Sequence, residues 1–163
     1  MYSFRNDYSE GAHPKVLQAL ADTNLRQTVG YGMDPCCQAA ADTIRRLCAA
    51  PDAAVHFLVG GTQVNLVTID AFLQSYEAVV AAQTGHVSTH ETGAIEATGH
   101  KVCTVESPDG KLTPALVESV LAGHNGTEHM VLPRMVYISD TTEIGTVYTR
   151  AELAARVAEL EGK

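Results

Sequence analysis

The sequence predicts an α/β fold: three layers, with a mainly parallel sheet flanked by helices. Short apolar runs of strand length recur at Val55–Val59, Ala78–Ala82, Lys101–Val105 and Met135–Ile138. Segments whose apolar residues keep helical spacing lie between them, and Gly, Pro and small polar residues punctuate the boundaries. Strands alternating with helices of this length imply βαβ units, a parallel sheet and right-handed crossovers.

The elements follow in order. The arm Met1–Ser9 is polar and lacks helical periodicity. Pro14 suits the first position of a short helix with Val16, Leu17 and Leu20 on one side. Gly30-Tyr31-Gly32 breaks the chain in a loop that can place an aromatic ring where a side chain must approach closely. Asp34 and Pro35 are the N-cap and first position of the next helix, whose apolar set (Ala39, Ala40, Ile44, Leu47, Cys48) runs until Pro51. Val55–Val59, bounded by Pro51-Asp52 and Gly60-Gly61, reads as a buried strand, followed by a helix capped by Thr62. Ala78–Ala82 is the second strand, and Thr89–Thr98 a helix closed by Gly99. Lys101–Val105 is the third strand, and Ser107-Pro108-Asp109-Gly110 a turn. Thr113-Pro114 opens a helix with Leu116, Val117, Val120 and Leu121 inward. A polar loop, His124–Glu128, leads to the fourth strand at Met135–Ile138. Thr149–Glu152 is a capping box starting a last helix with Leu153, Ala154, Val157 and Leu160 on its face. With 163 residues and no repeat, low-complexity stretch or linker, one domain is expected.

Composition excludes several classes of function. Hydrophobic residues at 45% and charged ones at 18% fit a globular chain rather than a disordered one. A formal charge of −8 argues against a nucleic-acid surface, which needs clustered Lys and Arg. No apolar run approaches membrane-spanning length and Met1–Arg5 is not a signal peptide, so a cytoplasmic protein with no membrane partner is expected. Cys36, Cys37, Cys48 and Cys103 form no CxxC pair and are expected as reduced thiols.

A strand, a tight glycine turn and a helix aim free N–H groups and the positive end of the helix dipole at one point, an anion site. The local pattern alone fits an ordinary turn with a capping threonine better, since glycine before a helix is common. Ligands in such folds collect at the carboxyl ends of strands. That rule gathers Gly60–Thr62, His86 and Thr141–Glu143 on one rim. Of the other histidines, His13 suits a helix start, His56 a strand, and His124 and His129 loops. His86, His90 and Glu91 make an HxxxHE pattern, but no third ligand follows at a zinc spacing and Gly85 places His86 before the helix, so no metal is expected. No serine lies on a GxSxG turn.

GYGMD, VGGTQVNL, HVSTHETGAIEATGHKV, SPDGKLTPALVE and TTEIGTVYT, in this order, resemble the amino-terminal half of the threonine aldolase and β-eliminating lyase family, from about Phe4 onward. The resemblance implies a pyridoxal 5′-phosphate enzyme on the aspartate-aminotransferase type of fold. Residues 1–163 would then be the first part of its large domain, with the rest of that domain and the small domain absent. On this pattern Gly61 and Thr62 correspond to the turn that holds the cofactor phosphate, reversing the reading as an ordinary turn. His86 matches the histidine stacked on the pyridine ring, and Tyr31 the tyrosine of the YG-x-D loop. Asn6 stands where the family often has a serine in its substrate-recognising arm. Glu143 stands where bacterial threonine aldolases often carry a histidine near the substrate hydroxyl, and a carboxylate differs from an imidazole as a proton acceptor near neutral pH.

The family's reactive lysine and the acidic partner of the pyridinium nitrogen come later in its pattern. None of Lys15, Lys101, Lys111 and Lys163 has the right context. The family's sheet also places later strands between the one before the glycine turn and the other three. The chain is therefore expected to be a fragment of a longer protein, poorly folded and inactive by itself. The parent would cleave a β-hydroxy amino acid, threonine or allo-threonine, to glycine and acetaldehyde, and would be a homodimer or tetramer. Two alternatives stand beside it: another reaction of the same cofactor, β-elimination or transamination, and a degenerate binding protein without chemistry.

Overall fold

The structure, a computed structural model, describes residues 2, 3, 5, 6, 8–124 and 126–160, with 156–160 as backbone only. Val157, Leu160 and Lys163, named in the expectations above, therefore lie outside the described side chains. The chain divides into two compact units, Met1–Phe57 and Leu58–Lys163.

The first unit holds α1 (Pro14–Thr23) and α2 (Pro35–Leu47). Both start as the sequence dictates. His13 caps α1, its Nδ1 accepting from the Lys15 N–H at 3.2 Å. The Asp34 carboxylate caps α2, accepting from the N–H groups of Cys36 and Cys37 at 2.9 and 3.0 Å. The apolar faces are another matter. Ala41 is the one buried residue described in these helices, and Val16, Leu17, Leu20 and Leu47 are all more than half exposed.

Val55–Val59 is not a strand. The run belongs to no sheet, the boundary between the units falls inside it, and Phe57, Leu58 and Val59 are exposed. An extended segment becomes a strand only when a neighbour takes up its backbone N–H and C=O groups. No strand does so among the described residues; the Val59 N–H is instead taken by Gln63 Oε1 at 3.0 Å.

The second unit is built on β1 (Glu77–Ala82), β2 (Lys101–Val105) and β3 (Leu132–Val136), all parallel, in the order β2-β1-β3. The expected parallel sheet is thus present with three strands. β1 is central and buried on both sides, which its continuous apolar run required. Its alternate residues face opposite layers. Val79 and Ala81 pack with Ile69 of α3 (Gly61–Phe72) and Leu73 just after it, Val87 of α4 (His86–Thr89) and Ile95 of α5 (Ala94–Ala97). Ala78, Val80 and Ala82 pack with Cys103, Leu112 and Val117, the last on α6 (Pro114–Gly123). Helices on both faces give the three layers.

Other boundaries differ from expectation for local reasons. The segment at 89–98 is two one-turn helices, because Thr92 and Gly93 adopt positive φ (56° and 75°) and interrupt the ladder. β3 starts three residues early, where the Leu132 N–H reaches the Tyr76 carbonyl at 3.0 Å. Pro133, which has no N–H, is tolerated because β3 is an edge strand that carries an irregularity there: Ala78 faces Pro133 while Val79 faces Met135. α7 (Arg150–Leu160) opens with the expected capping box: Thr149 N–H donates to Glu152 Oε2 at 2.6 Å, and Glu152 N–H to Thr149 Oγ1 at 3.2 Å. No helix among the described residues is long and apolar enough to cross a membrane.

Candidate active site

The site is built on the carboxyl ends of β1 and β3. α3 starts one residue before Thr62: Gly60 is the N-cap, Gly61 the first helical residue and Thr62 the second. Gly60 is extended (φ −168°, ψ 166°) and its carbonyl already accepts from the Val64 N–H at 3.0 Å. The expected capping role of Thr62 is therefore taken by a residue with no side chain. The consequence is chemical. First-turn N–H groups have no intrahelical acceptor, and no side chain caps them here. A Cβ built on Gly60 or Gly61 would meet nothing within 4 Å, so the approach is open. Bare donors, the positive end of a twelve-residue helix and the Thr62 hydroxyl beside them form a seat that suits a phosphate.

His86 sits on the rim just past β1, at the start of α4. Gly85 before it leaves no room for a side chain, since a Cβ there would lie 3.0 Å from the Ala82 carbonyl oxygen. The backbone can therefore turn tightly at the strand end and present the ring. The His86 N–H donates to Ser139 Oγ at 3.3 Å, tying β1's end to the segment after β3. Its ring Nδ1 lies 3.0 Å from Glu143 Oε1, and His90 Nε2 lies 3.6 Å from Glu143 Oε2. The two imidazoles are tilted, with centroids 5.5 Å apart. The expected meeting of His86 and Glu143 on one rim is realised. Among the described residues no group of three or more His, Cys, Asp or Glu side chains has metal-binding geometry.

The loop that carries Glu143 is tied together by hydroxyl bonds. Thr146 Oγ1 donates to the Asp109 carbonyl at 2.7 Å, so in the Thr142–Thr146 hydroxyl pair, also 2.7 Å apart, Thr142 is the donor. Thr142 Oγ1 in turn accepts from the Thr146 N–H at 3.0 Å. Gly110 makes the approach possible: it has φ +73°, and a Cβ would lie 3.2 to 3.3 Å from Ile144, Thr142 and Thr84. The SPDG turn thus clamps the loop that carries Glu143.

Asn6 and Tyr31 belong to the first unit. Asn6 Oδ1 accepts from the Tyr8 N–H and the Ser9 hydroxyl, a local turn. Tyr31 is fully exposed in the left-handed region at φ 63°, where the flanking glycines let the chain turn. None of the described lysines immediately follows the carboxyl end of a strand. Lys15 is exposed on α1, Lys101 starts β2, and Lys111 is paired with Glu152 at 3.1 Å. Sequence reasoning missed Asn65 and weighed Glu91 only as a metal ligand. Asn65 Nδ2 donates to the buried Glu91 Oε1 at 2.6 Å. An amide inside the apolar pattern of α3 was the available signal.

Comparison with known proteins bears on this geometry. A family model described as beta-eliminating lyase matches residues 4–161. Low specificity L-threonine aldolases of Pseudomonas sp. (strain NCIMB 10558) and Pseudomonas aeruginosa are 36% and 35% identical over 154 residues, 93% of this chain and 44% of each relative. The solved structure of Leishmania major threonine aldolase matches with a TM-score of 0.96 at 54% identity, covering 99% of this chain and 47% of that one. The chain spans less than half the length of the relatives it matches.

Proposed function

The chain belongs to the beta-eliminating lyase family, and from that premise we propose that it is the amino-terminal part of the large domain of a longer, pyridoxal 5′-phosphate-dependent carbon–carbon lyase. The substrate is a β-hydroxy amino acid, L-threonine or allo-threonine, and the products are glycine and acetaldehyde. The full-length protein works as a homo-oligomer in the cytoplasm. Members of this family use pyridoxal 5′-phosphate, and the residues present here fit that group: the uncapped start of α3 offers donors and open space for a phosphate, and His86 offers a ring at the end of β1.

When bound, the cofactor supplies an electron sink for the pair released from the Cα–Cβ bond. The first-turn N–H groups at Gly61 and Thr62, with the Thr62 hydroxyl, would hold the phosphate, and His86 would hold the pyridine ring. Glu143 accepts the proton of the substrate's β-hydroxyl while the C–O bond becomes the aldehyde carbonyl and the Cα–Cβ bond breaks. Glu143 Oε1 makes the 3.0 Å contact with His86, and Oε2, 3.6 Å from His90 Nε2, is the oxygen that receives that proton. Asn6 and Tyr31 contribute to substrate recognition.

The observation that carries the reading is the 3.0 Å contact of His86 with Glu143 across the carboxyl ends of neighbouring parallel strands. The test replaces Thr62 or His86 by Ala in the full-length protein and titrates the cofactor by its absorbance. Loss of a charge-assisted hydrogen bond to phosphate weakens binding by about tenfold in the Thr62 variant. Unchanged affinity in both variants removes the assignment. Product analysis separates the cleavage from β-elimination, which the Glu143 carboxylate also permits: glycine and aldehyde in one case, ammonia and a keto acid in the other.

A further inference from the structure

Beside the rim lies a carboxylate that the proposed reaction leaves unused. Glu91 follows α4 and is 4% exposed. Its Oε1 accepts from Asn65 Nδ2 at 2.6 Å and stands 3.9 Å from His86 Nε2. Its Oε2 is buried with no hydrogen-bond partner among the described residues. A buried carboxylate short of donors costs stability, so its presence calls for a physical reason.

The geometry supplies one. Glu143 holds the His86 ring at Nδ1 only, and a ring held at one atom can still pivot about that contact. A second carboxylate on the Nε2 side removes the freedom. Asn65 is the fifth residue of α3, so it ties Glu91 to the helix whose first turn forms the anion seat. We propose that Glu91 is a positioning residue for the His86 ring: anchored by Asn65, it fixes the imidazole plane relative to α3, so that seat and ring are set by one strut. The catalytic meaning of this strut rests on the function proposed above; its geometry does not.

The test uses Glu91→Ala, Asn65→Ala and Glu91→Gln in the full-length protein. In the Gln variant the carbonyl oxygen can stand where Oε1 does, accepting from Asn65 and lying beside His86 Nε2, while the amide occupies the unpartnered position. The first readout is the pair of His86 ring 15N shifts without cofactor. The second is the induced circular dichroism of bound pyridoxal 5′-phosphate, together with kcat and KM for threonine. The two Ala variants shift the His86 signals, lose induced dichroism and lower kcat by about tenfold with KM little changed, as expected for a misplaced ring. The Gln variant stays close to wild type in all three. His86 signals and dichroism unaltered in both Ala variants overturn the proposal, leaving Glu91 a purely structural role. Damage in the Gln variant equal to that in Glu91→Ala also overturns it, because charge rather than placement would then be the requirement. A wild-type protein that takes up no cofactor defeats the proposed function instead, and the cofactor-free 15N readout still decides the strut.

Discussion

Val55–Val59 and Ala78–Ala82 are two five-residue, mostly apolar runs with nearly the same appearance in the sequence, and they end in opposite states. Ala78–Ala82 lies in the central strand, buried on both faces, with parallel neighbours on each side. Val55–Val59 is irregular, and Val59 is 96% exposed. Apolarity and length mark a segment that can be a strand. Only a neighbour that accepts and donates along the ladder makes it one. In this chain β2 and β3 serve β1, while no strand among the described residues serves Val55–Val59.

The largest effect expected from that contrast comes from a single charge placed in each run. Val80→Asp buries an unpaired carboxylate between β1 and α6 and destabilises the second unit by about 4 kcal/mol, enough to unfold a marginal unit. Val59→Asp, at a solvent-facing position, changes stability by no more than about 0.5 kcal/mol. Urea unfolding of the two variants followed by far-UV circular dichroism checks both. Similar losses in the two would mean that the Val55–Val59 run is packed in solution, and the contrast would break.

A smaller effect is expected where a close approach depends on one glycine. Gly110→Ala puts a Cβ at φ +73° within 3.2 to 3.3 Å of Ile144, Thr142 and Thr84. It costs about 2 kcal/mol, because the strained backbone and the crowding act together. The same substitution pushes the Glu143 loop away from His86, so the His86 ring 15N shifts move in parallel with the loss of stability. A stability loss with unchanged His86 signals would show that the SPDG turn supports the fold without placing Glu143.

The same distinction explains which features were legible in the sequence. Features decided within a few residues were readable. The Asp34 and Thr113 caps, the SPDG turn, the capping box at Thr149 and the β1 and β2 strands all stand where residue chemistry put them. The rim was readable because strand ends in a parallel sheet share one edge, which brought His86 to Glu143 across 57 positions. Features decided by distant partners were not. The fate of Val55–Val59 depended on neighbours, and the start of β3 on a carbonyl of Tyr76. The partnership of Asn65 with Glu91 spans 26 positions, and the amide within the apolar pattern of α3 marks one partner without naming the other. The Thr62 cap failed because the helix begins at Gly61, which moves the cap position back to the extended Gly60.

The smallest expected effect tests the local end of this comparison, a device that needs few distant partners. The Glu152 carboxyl is held down to about 2, from an ordinary 4.5, first by the Thr149 N–H and hydroxyl and then by Lys111. Its folded value lies below its unfolded value. The stabilisation is therefore complete above about pH 4.5, fades as pH falls toward 2, and is lost only below the folded value, where the group is protonated in both states. Glu152→Gln removes that linkage. Asp34 and Asp109 are also held low by hydrogen bonds and titrate in both proteins, so the informative quantity is the Tm difference between wild type and variant. That difference is expected to be constant from neutral pH down to about 4.5 and to shrink steadily below it. A difference that stays constant to pH 2 would mean that the charge of Glu152 contributes nothing to the cap of α7.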